Sequence, residues 1–528
     1  MPLLLCFLLA ATPPQKTKIT TSQYNNARTG ANLEETLLTP SNVNSRQFGK
    51  LFSYSVDGDV YAQPLYLPNV SVPGEGVRNL LLIATEADTV YAFDATGETR
   101  EPLWKTSFAN AAGGVTPVPA QVVDCPFIRP EVGITSTPVI DEHSGTIYVL
   151  ARTEERDREG TPRVWQKLHA LDVQTGTERT GSPVAIDGSV TGDTWLFGLF
   201  QNTVRFSPLR ENPRSALALV NGQVYLTWAS SCDVGRYYGW VMSYDARTLK
   251  QTGIFNTAPE GAQSGIWQSD TGPPADEEGN IYLETGNGVF DVGAAGGRDY
   301  GDSVLKLSLA RDGLAVRDYF TPLNQERRNR QDGDLGSGGP MLLPEQPGSR
   351  QRLLVAAGKG ESIYLIDRDH MGKYNVSQDR IVQTLHDCGT GSFGAAAYWN
   401  GHVFYLCRDD VLKDFVLKDG RLSLWRIGDR SKSFDGPGAT PAISANGTTN
   451  GIVWAVECDV PGSSAAILHA YDAADISREL FNSREKIERD RPGTGIRFTI
   501  PTVADGHVYV GTRGEVDVYG LLPAVRID

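Results

Sequence analysis

A long internal repeat limits the folds that this 528-residue chain can adopt. Its clearest copy is residues 79–98, NLLLIATEADTVYAFDATGE, in which an apolar strand, a turn at 86–88 and an alternating strand lead to Asp94. Matching pieces are residues 145–150 with 167–176, 222–228 with 239–248, 279–287 with 302–307, 353–367, 401–406 with 414–419, 451–457 with 467–473, and 506–520. A repeat of about 40 to 60 residues with several strands is the signature of a propeller blade.

An apolar inner strand precedes each copy, which makes eight units. These strands begin near Gln63, Thr137, Ser215, Gly265, Gly338, Gly394, Ala439 and Thr499. No helical pattern of ten residues separates the strands, which excludes an alternating α/β fold. The sequence therefore predicts an all-β, eight-bladed β-propeller of four-stranded antiparallel blades.

The two chain ends are expected to close this ring. Residues 50–56, KLFSYSV, form a strand with no repeat before it, and we expect it to complete the last blade, because closure removes exposed sheet edges. The predicted organisation is a signal peptide at 1–15, a lead-in segment at 16–49 and one propeller at 50–528. The inserts at 105–129 and 320–334 are expected to be loops on one face.

Charge and cysteine usage narrow the function classes. A net charge of -14 disfavours nucleic acid as a partner. The apolar run at residues 3–11 is too short to span a membrane but fits a secretory signal, so export to the periplasm or outside is predicted. Beyond Cys6 there are five cysteines, an odd number without a C-x-x-C or C-x-x-C-H spacing, which argues against zinc and attached haem.

The repeat resembles that of the pyrroloquinoline-quinone (quinoprotein) dehydrogenases from about Gln23 onward, including YNNARTGAN at 24–32. Four further segments resemble the family in its own order. They are SSCDVGRYYGWVMSYD at 230–245, TGNG at 285–288, YGDSVLKL at 300–307 and AAGKGESIYLIDRD at 356–369. The resemblance implies a propeller that binds pyrroloquinoline quinone and calcium, without haem, and oxidises a small alcohol or sugar.

The same resemblance implies roles for single residues. Asp302 matches the catalytic aspartate, Lys359 the cation that contacts a quinone oxygen, and Trp267 the tryptophan of the site's floor. Asn287 and Asp233 match calcium ligands. Calcium prefers oxygen ligands, a carboxylate can take the alcohol proton, and a lysine can stabilise charge on a reduced quinone.

Two further positions are predicted from their place in the repeat and not from the resemblance. Gln63 and Asp334 enter inner strands and are expected to face the channel beside the cofactor. Asp302 and Asn287 each follow a glycine, where they could instead cap turns.

The sequence also departs from the family at several positions. The family's pair of adjacent cysteines is absent, and only Cys125 lies in that region. Tyr61 stands nearest to the position of an early glutamate of the family.

Two other functions remain open at this point. One is a non-catalytic propeller that presents its loops to a protein or envelope partner. The other is a hydrolytic propeller that uses paired carboxylates such as Glu131 and Asp334. The dehydrogenase hypothesis requires Asp233, Asn287, Asp302 and Lys359 to converge on one axial pocket, whereas a scaffold would leave them scattered.

Overall fold

The computed structural model describes residues 17–523 except 158, 197–198, 270, 349–350, 430–432, 435 and 460–462, so the predicted signal segment lies outside the described residues. Its helices are α1 (Ala120–Val123), α2 (Gln325–Arg330) and α3 (Ile487–Asp490), with two 3₁₀ turns at Ala111–Gly113 and Leu335–Ser337. In the described ranges, every helix is too short to cross a membrane.

Strands account for nearly all the regular structure. In chain order they are β1 (Ala31–Asn32), β2 (Phe48–Asp59), β3 (Leu65–Val72), β4 (Gly76–Thr85), β5 (Thr89–Asp94), β6 (Trp104–Ser107), β7 (Val115–Pro119), β8 (Glu131–Val132), β9 (Val139–Asp141), β10 (Thr146–Arg156), β11 (Pro162–Asp172), β12 (Val184–Ala185), β13 (Ser189–Leu196), β14 (Leu199–Arg205), β15 (Glu211–Asn212), β16 (Ala218–Val220), β17 (Gln223–Ser230) and β18 (Trp240–Asp245). They continue with β19 (Gln251–Asn256), β20 (Ile281–Glu284), β21 (Val304–Ala310), β22 (Gly313–Phe320), β23 (Met341–Leu342), β24 (Leu353–Ala357), β25 (Ile363–Asp367), β26 (Gln383–Leu385), β27 (Ala397–Trp399), β28 (His402–Tyr405), β29 (Lys413–Lys418), β30 (Arg421–Ile427), β31 (Ala442–Asn446), β32 (Thr449–Glu457), β33 (Ile467–Asp472), β34 (Asp475–Asn482), β35 (Thr502–Ala504) and β36 (His507–Leu521).

The described strands form eight sheets and one separate hairpin, β13–β14. We number the sheets along the chain. Sheet 1 is β3–β6, sheet 2 is β7–β12, sheet 3 is β15–β19, sheet 4 is β20–β22, sheet 5 is β23–β26, sheet 6 is β27–β30, sheet 7 is β31–β34 with β1, and sheet 8 is β35, β36 and β2. Within sheet 8, β2 pairs antiparallel to β36, the pairing expected for residues 50–56. The prediction of a nearly all-β chain with repeated antiparallel sheets is confirmed.

In five of the repeats, a closing aspartate organises a turn. Asp94 accepts a hydrogen bond from the backbone N–H of Thr96 at 2.8 Å, and Asp172 accepts one from Gln174 at 2.9 Å. Asp245, Asp367 and Asp472 make the same bond two residues ahead. Such Asx turns reverse the chain at the end of a strand, which explains why the repeat requires aspartate there.

Each sheet contacts the next one along the chain. The contacts in order are Trp104 Nε1 to Val173 O at 3.1 Å, Tyr148 Oη to Ala246 O at 2.7 Å, β19 against β22, Lys306 Nζ to Arg368 O at 3.2 Å, Gln383 Nε2 to Leu422 O at 2.8 Å, Trp399 Nε1 to Gly447 O at 2.9 Å, and the rings of Phe481 and Tyr519 at 6.2 Å. Sheet 8 then contacts sheet 1, because Tyr509 Oη donates to Ala95 O at 3.0 Å.

The lead-in segment binds the inner strands of all eight sheets. Residues 19–35, which we call the hub segment, hydrogen-bond to at least one residue of the inner strand in seven sheets and, in sheet 4, to Ala275, which forms an isolated bridge to Ile281 of β20. The partners from sheet 1 to sheet 8 are Tyr66, Ile140, Leu219, Ala275, Leu342, Tyr398, Ile443 and Val503. In most sheets the partner is the second residue of the inner strand, so the same position of each repeat faces one shared segment.

Two hub residues are confined by this arrangement. Gly30 has a φ of 69°, and a Cβ there would lie 3.0 Å from Cβ of Ala397, so only glycine fits without a shift. Arg28 is fully buried and donates to Ser22 O at 2.7 Å and to Leu217 O at 3.2 Å. Its burial lowers the pKa of its guanidinium to about 9.

Three parts of the chain differ from the expectation. The insert at 105–129 is not a simple loop, because it contains β7 and α1, and β7 pairs with β10. The insert at 320–334 contains α2. In the described residues, sheets 4 and 8 have three strands where four were predicted. Insert sequences lack the repeat pattern, so their local pairing could not be read from it.

Replacing Arg28 tests the hub. We expect Arg28→Ala to lower the free energy of unfolding by about 3–5 kcal/mol, because it removes a buried charged donor and leaves backbone carbonyls without partners. Denaturant titration of the purified protein measures this. Arg46→Ala is the matched control, since Arg46 is exposed later in the lead-in and its loss should cost less than about 0.5 kcal/mol. Equal stability of the two variants would contradict a hub role.

Candidate functional site

A cavity of about 310 Å³ lies at the ends of the inner strands away from the hub. Its walls comprise aromatic, charged and small polar side chains together with one disulfide. They include Tyr61, Phe127, Arg214, Ser230, Asp233, Trp267, Asp332, Asp334, Ser337, Lys359, Phe393, Arg497, Phe498 and the bridged pair Cys125 and Cys232. The volume falls within the range of about 300–1,000 Å³ typical of small-molecule sites.

Five of these residues occupy one repeat position. Tyr61, Arg214, Ser337, Phe393 and Phe498 each stand four residues before the inner strand of their sheet, which is β3, β16, β23, β27 and β35 in turn. The hub contact falls five residues further on in each case, a separation of at most about 17 Å in extended chain. The repeat thus places one side chain from each of five sheets at the cavity. Aligning the eight units on their inner strands would have revealed this position, but of the five residues only Tyr61 is singled out from the sequence.

In the segment TGN at residues 285–287, the middle residue packs so closely against the cavity wall that it must be glycine. A Cβ at Gly286 would collide with Oδ1 of Asp334 and lie 3.2 Å from Cδ1 of Trp267. The next residue, Asn287, donates its backbone N–H to the same Oδ1 at 2.6 Å. Three segments that are distant in sequence therefore meet at Asp334. Asn287 itself is not among the cavity-lining residues, so the four side chains that the dehydrogenase hypothesis places in one pocket do not all reach this cavity.

Lys359 closes the same cluster. Its ammonium lies 2.6 Å from Oδ2 of Asp334 and 2.9 Å from Oδ1 of Asp332. Burial tends to lower the pKa of Lys359, but the two carboxylates outweigh burial and raise it, so the ammonium stays charged. Burial raises the pKa of Asp334, against the pull of Lys359. Lys359 also lies 5.9 Å from the centre of the Phe393 ring.

The two predicted calcium ligands have separate surroundings. Asn287 donates from Nδ2 to Asp332 at 3.0 Å, and its buried Oδ1 accepts no hydrogen bond from the described residues. Asp233 lines the cavity and accepts a hydrogen bond from Oγ of Ser230 at 2.8 Å. Burial, and then the charge of Asp233, raise the pKa of Tyr237.

Asp302 lies behind the cavity wall. It is fully buried, and its Oδ1 accepts from the backbone N–H of Leu335 at 3.0 Å. Its Oδ2 accepts from Gln325 at 3.4 Å. Burial raises the pKa of this carboxyl to about 7, and the charge of Asp334 adds to the shift. The side chain thus fixes the loop that carries Asp334. Its catalytic role stays a prediction.

Gln63 is placed at the hub. Its Oε1 accepts from the backbone N–H of Gln23 at 2.8 Å, and its Nε2 donates to Thr502 at 3.2 Å. Glu131, a candidate for hydrolytic chemistry, is half-buried on β8 and is not among the cavity-lining residues. Of the positions predicted beside a ligand, Trp267, Asp334, Lys359 and Asp233 share one cavity.

A disulfide that the sequence did not reveal forms part of the wall. Cys125 and Cys232, 107 residues apart, are bridged with a Cα–Cα distance of 5.4 Å. A second bridge joins Cys388 and Cys407, and Cys458 is buried. The sequence shows five cysteines beyond Cys6, but which of them pair over such long separations depends on the fold.

The wall built by sheets 1, 3 and 8 is cationic and aromatic. Arg214 Cζ lies 4.9 Å from the ring centre of Phe498 and 5.4 Å from that of Tyr61. Arg497 Cζ lies 4.6 Å from the ring centre of Phe127. Neither arginine was predicted, because each lies outside the segments that carry the family resemblance.

Buried carboxyl groups stand behind this wall. Glu86 is fully buried and accepts from the backbone N–H of Gly133 at 2.7 Å. Burial raises the pKa of Glu86 to about 7 and that of Glu211 to about 8. Both are therefore largely uncharged at slightly acidic pH, unlike carboxyls in solvent.

Comparison with known proteins supports the fold. No protein-family model and no curated protein matches the sequence. A solved europium-containing methanol dehydrogenase is 14% identical, with 96% of this chain and 98% of that chain covered and a TM-score of 0.57. BamB from Moraxella catarrhalis is 12% identical over 90% of this chain and 99% of its own, with a TM-score of 0.47. Sqt1 from Saccharomyces cerevisiae is 8% identical over the same shares, with a TM-score of 0.49.

At these identities the likeness shows the fold alone. The methanol dehydrogenase, with the highest of the three TM-scores, carries the argument. Together with the repeated antiparallel sheets, it shows that this chain has a β-propeller fold.

Stability should depend on pH through Glu211. Its native pKa of about 8 exceeds the ordinary value of 4.5, so the native state holds a proton that the unfolded state releases. The stabilisation is complete below about pH 4.5 and is lost as pH rises toward 8. We expect the free energy of unfolding of the native protein to fall relative to Glu211→Gln by up to about 1.4 kcal/mol per pH unit in this range.

Denaturant titrations at several pH values measure this difference. The matched control is Glu326→Gln, because the Glu326 side chain is 83% exposed and its loss should leave the pH profile of stability unchanged. Parallel profiles for the native protein and Glu211→Gln would contradict the predicted proton.

Proposed function

We propose that this protein is an eight-bladed quinoprotein-like propeller that binds an anionic planar quinone in its cavity and oxidises an alcohol there. The convergence of Trp267, Asp334 and Lys359 on one cavity, with Asn287 bonded to Asp334, carries the proposal. A scaffold without a ligand has no need to bring these segments together. Eight blades are inferred from the cyclic order of sheet contacts and from the hub segment that bonds to all eight sheets.

The residues present fit a quinone such as pyrroloquinoline quinone. Trp267 and the Cys125–Cys232 bridge offer apolar surfaces for a flat ring, and Lys359 offers a positive charge for a quinone oxygen. Held by two carboxylates, the Lys359 ammonium is oriented before a ligand arrives. A bound quinone would supply the oxidant, since it accepts two electrons.

A carboxyl must take the proton of the alcohol. It has to lie within hydrogen-bond reach of the substrate, and of Asp302 and Asp334 only Asp334 lines the cavity. The proposal therefore assigns proton transfer to Asp334, with Lys359 stabilising its ionised form. Asp302 positions Asp334 through its bond to Leu335.

Calcium does not fit the residues as they stand. In the part of the chain that the structure describes, no group of three His, Cys, Asp or Glu side chains is placed to hold a metal ion. The carboxylates beside Asn287 are Asp332 and Asp334, and the ammonium of Lys359 is in contact with both. A divalent cation would have to displace the ammonium of Lys359, which is also positively charged and already contacts both carboxyl groups.

Removing that ammonium should create a metal site. In Lys359→Ala, two carboxylates and the unbonded Oδ1 of Asn287 would be left together, a donor set of the oxygen type that calcium prefers. We expect calcium titration calorimetry to give binding heat with Lys359→Ala that the native protein lacks. Lys418→Ala, at an exposed lysine, is the control. Strong calcium binding by the native protein would show that this interpretation of Lys359 is wrong.

Reconstitution tests the proposed function. We expect the purified protein to bind pyrroloquinoline quinone and then to reduce a dye with an alcohol. We expect Trp267→Ala to weaken quinone binding by about tenfold or more through loss of the aromatic face, and Trp425→Ala to leave it unchanged, since Trp425 is 59% exposed elsewhere. If neither binding heat nor dye reduction is observed, the dehydrogenase hypothesis is wrong, and a non-catalytic propeller that binds a protein partner is favoured.

We infer that the protein works in an oxidising compartment after export. The support is that two bridges, Cys125–Cys232 and Cys388–Cys407, form within the folded chain. Disulfides persist outside the cytosol and are rare within it.

A further inference from the structure

A depression of about 430 Å³, which we call the lateral groove, lies at the surface between sheets 6 and 7. Its wall is mainly apolar and includes Trp399, Asn400, His402, Trp425, Arg426 and Thr448. Among the described residues, it shares no lining residue with the cavity that holds Asp334 and Lys359. Small-molecule sites have volumes of about 300–1,000 Å³ and apolar walls with a few polar groups, so the lateral groove has the properties of a second binding site.

Trp425 lines the groove at a β-bulge. Asp414 of β29 pairs with Arg426 of β30, and Phe415 pairs with Leu424, so Trp425 is the extra residue between the two pairs. A bulge re-aims the side chain that it carries, and bulges are frequent beside functional sites. The side chain of Trp425 is 59% exposed, so packing in the interior does not explain why a tryptophan stands there.

The bulge itself does not require an aromatic residue. The outer strands β19, β22 and β34 have the same irregularity, and the extra residues there are Thr252, Arg317 and Leu480. The repeat therefore supplies the bulge, while the indole is particular to sheet 6 among these four sheets.

A second indole lies deeper in the groove. Trp399 is 6% exposed, and its Nε1 donates to Gly447 O at 2.9 Å. A Cβ at Gly451 would lie 2.6 Å from Cη2 of Trp399, so this ring packs directly against the backbone of sheet 7. The groove thus combines one fixed aromatic ring with one exposed aromatic ring.

The polar side chains of the groove have hydrogen-bonding groups to spare. Asn400 and Thr448 are exposed, and neither side chain forms a hydrogen bond to the described part of the chain. His402 contacts Oδ1 of Asp414 through Nδ1 at 2.8 Å, which orients the ring and leaves Nε2 for another partner. Amide, hydroxyl and imidazole groups can both donate to and accept from the hydroxyl groups of a ligand.

The charged groups of the groove are already paired. Arg426 lies 2.7 Å from Oδ1 of Asp475 and donates to Ala474 O at 2.9 Å. His402, when it is protonated, faces the carboxylate of Asp414. An ionic ligand would have to compete with these protein partners. The matching ligand is therefore uncharged, with an apolar face for an indole and hydroxyl groups at its edge.

We propose that the lateral groove binds a neutral carbohydrate whose sugar ring stacks on the indole of Trp425. One face of a pyranose ring presents C–H bonds, which suit an aromatic surface, and its hydroxyl groups lie around the ring edge, within the chemistry of Asn400, His402 and Thr448. The site is independent of the proposed oxidation, because its residues lie outside the cavity. Its role is to attach the protein to a glycan.

Calorimetry with neutral oligosaccharides tests this proposal. The probes are cellohexaose, maltohexaose and chitohexaose, titrated into the native protein at low and at high salt. We expect at least one of them to bind, with an affinity that salt leaves unchanged, because neither partner contributes an unpaired charge. Absence of binding by all of them, or binding that weakens about tenfold as salt is added, would overturn the proposal.

Variants locate the binding. We expect Trp425→Ala to weaken oligosaccharide binding by about tenfold or more and Trp425→Phe to retain part of it, since phenylalanine keeps a smaller aromatic face. Asn400→Ala should weaken it by about two- to tenfold through loss of one hydrogen bond. The matched control is Trp165→Ala, at a tryptophan of β11 that is 37% exposed outside the groove. Unchanged binding by Trp425→Ala, in a variant that a thermal melt shows to be folded, would overturn the proposal.

Two further measurements separate this inference from its rivals. Sedimentation equilibrium shows whether a second copy covers the groove: self-association of the native protein that Trp425→Ala abolishes would overturn the carbohydrate assignment. Quinone titration of Trp425→Ala should match the native protein. Loss of oligosaccharide binding with quinone binding intact supports a separate site, whereas equal loss of both would show that the groove and the cavity are not independent.

Discussion

The hydrogen bonds between the hub segment and the eight inner strands are the constraint on which the remaining structure depends. Without bonds to a common segment, each sheet could twist or slide relative to the sheets beside it. Here residues 19–35 offer donors and acceptors to the second residue of the inner strand in seven sheets, so these seven strands share one register, and in sheet 4 the same segment binds Ala275 before β20. Arg28 and Gly30 make this possible, one as a buried donor to backbone carbonyls and the other as the residue small enough to lie against Ala397.

That common register also produces the cavity. In five of the sheets that line the cavity, the inner strand is anchored at its second residue, and the side chain five positions earlier reaches the other end of the strand. Tyr61, Arg214, Ser337, Phe393 and Phe498 reach the cavity in this way, three of them aromatic, one cationic and one small and polar. The inner strands thus repeat from sheet to sheet, while the side chains at their cavity ends can differ.

Charged and polar groups of the cavity wall are grouped around Asp334. Asp334 is bonded by the backbone of Asn287 and by the ammonium of Lys359, while its loop is held by the buried carboxyl of Asp302. One part of the cavity wall therefore brings one ammonium into contact with two carboxyl groups. In another part, the guanidinium groups of Arg214 and Arg497 lie over aromatic rings.

The sequence by itself determined the all-β repeat and the strand that joins the chain ends, because strand periodicity and Asx turns are local signals. Of the predicted site residues, Trp267, Asp334, Lys359 and Asp233 line one cavity, and Asn287 and Asp302 are not among its lining residues. The sequence could not determine the Cys125–Cys232 bridge, the position of Gln63 at the hub, or the arginines of the cavity. Those depend on which segments meet across the axis, and contacts between residues over 100 positions apart leave no local pattern. Lys359 illustrates the difference: its loop was recognisable from its glycines, but only the folded chain set its ammonium between two carboxylates, where a metal ion had been predicted nearby.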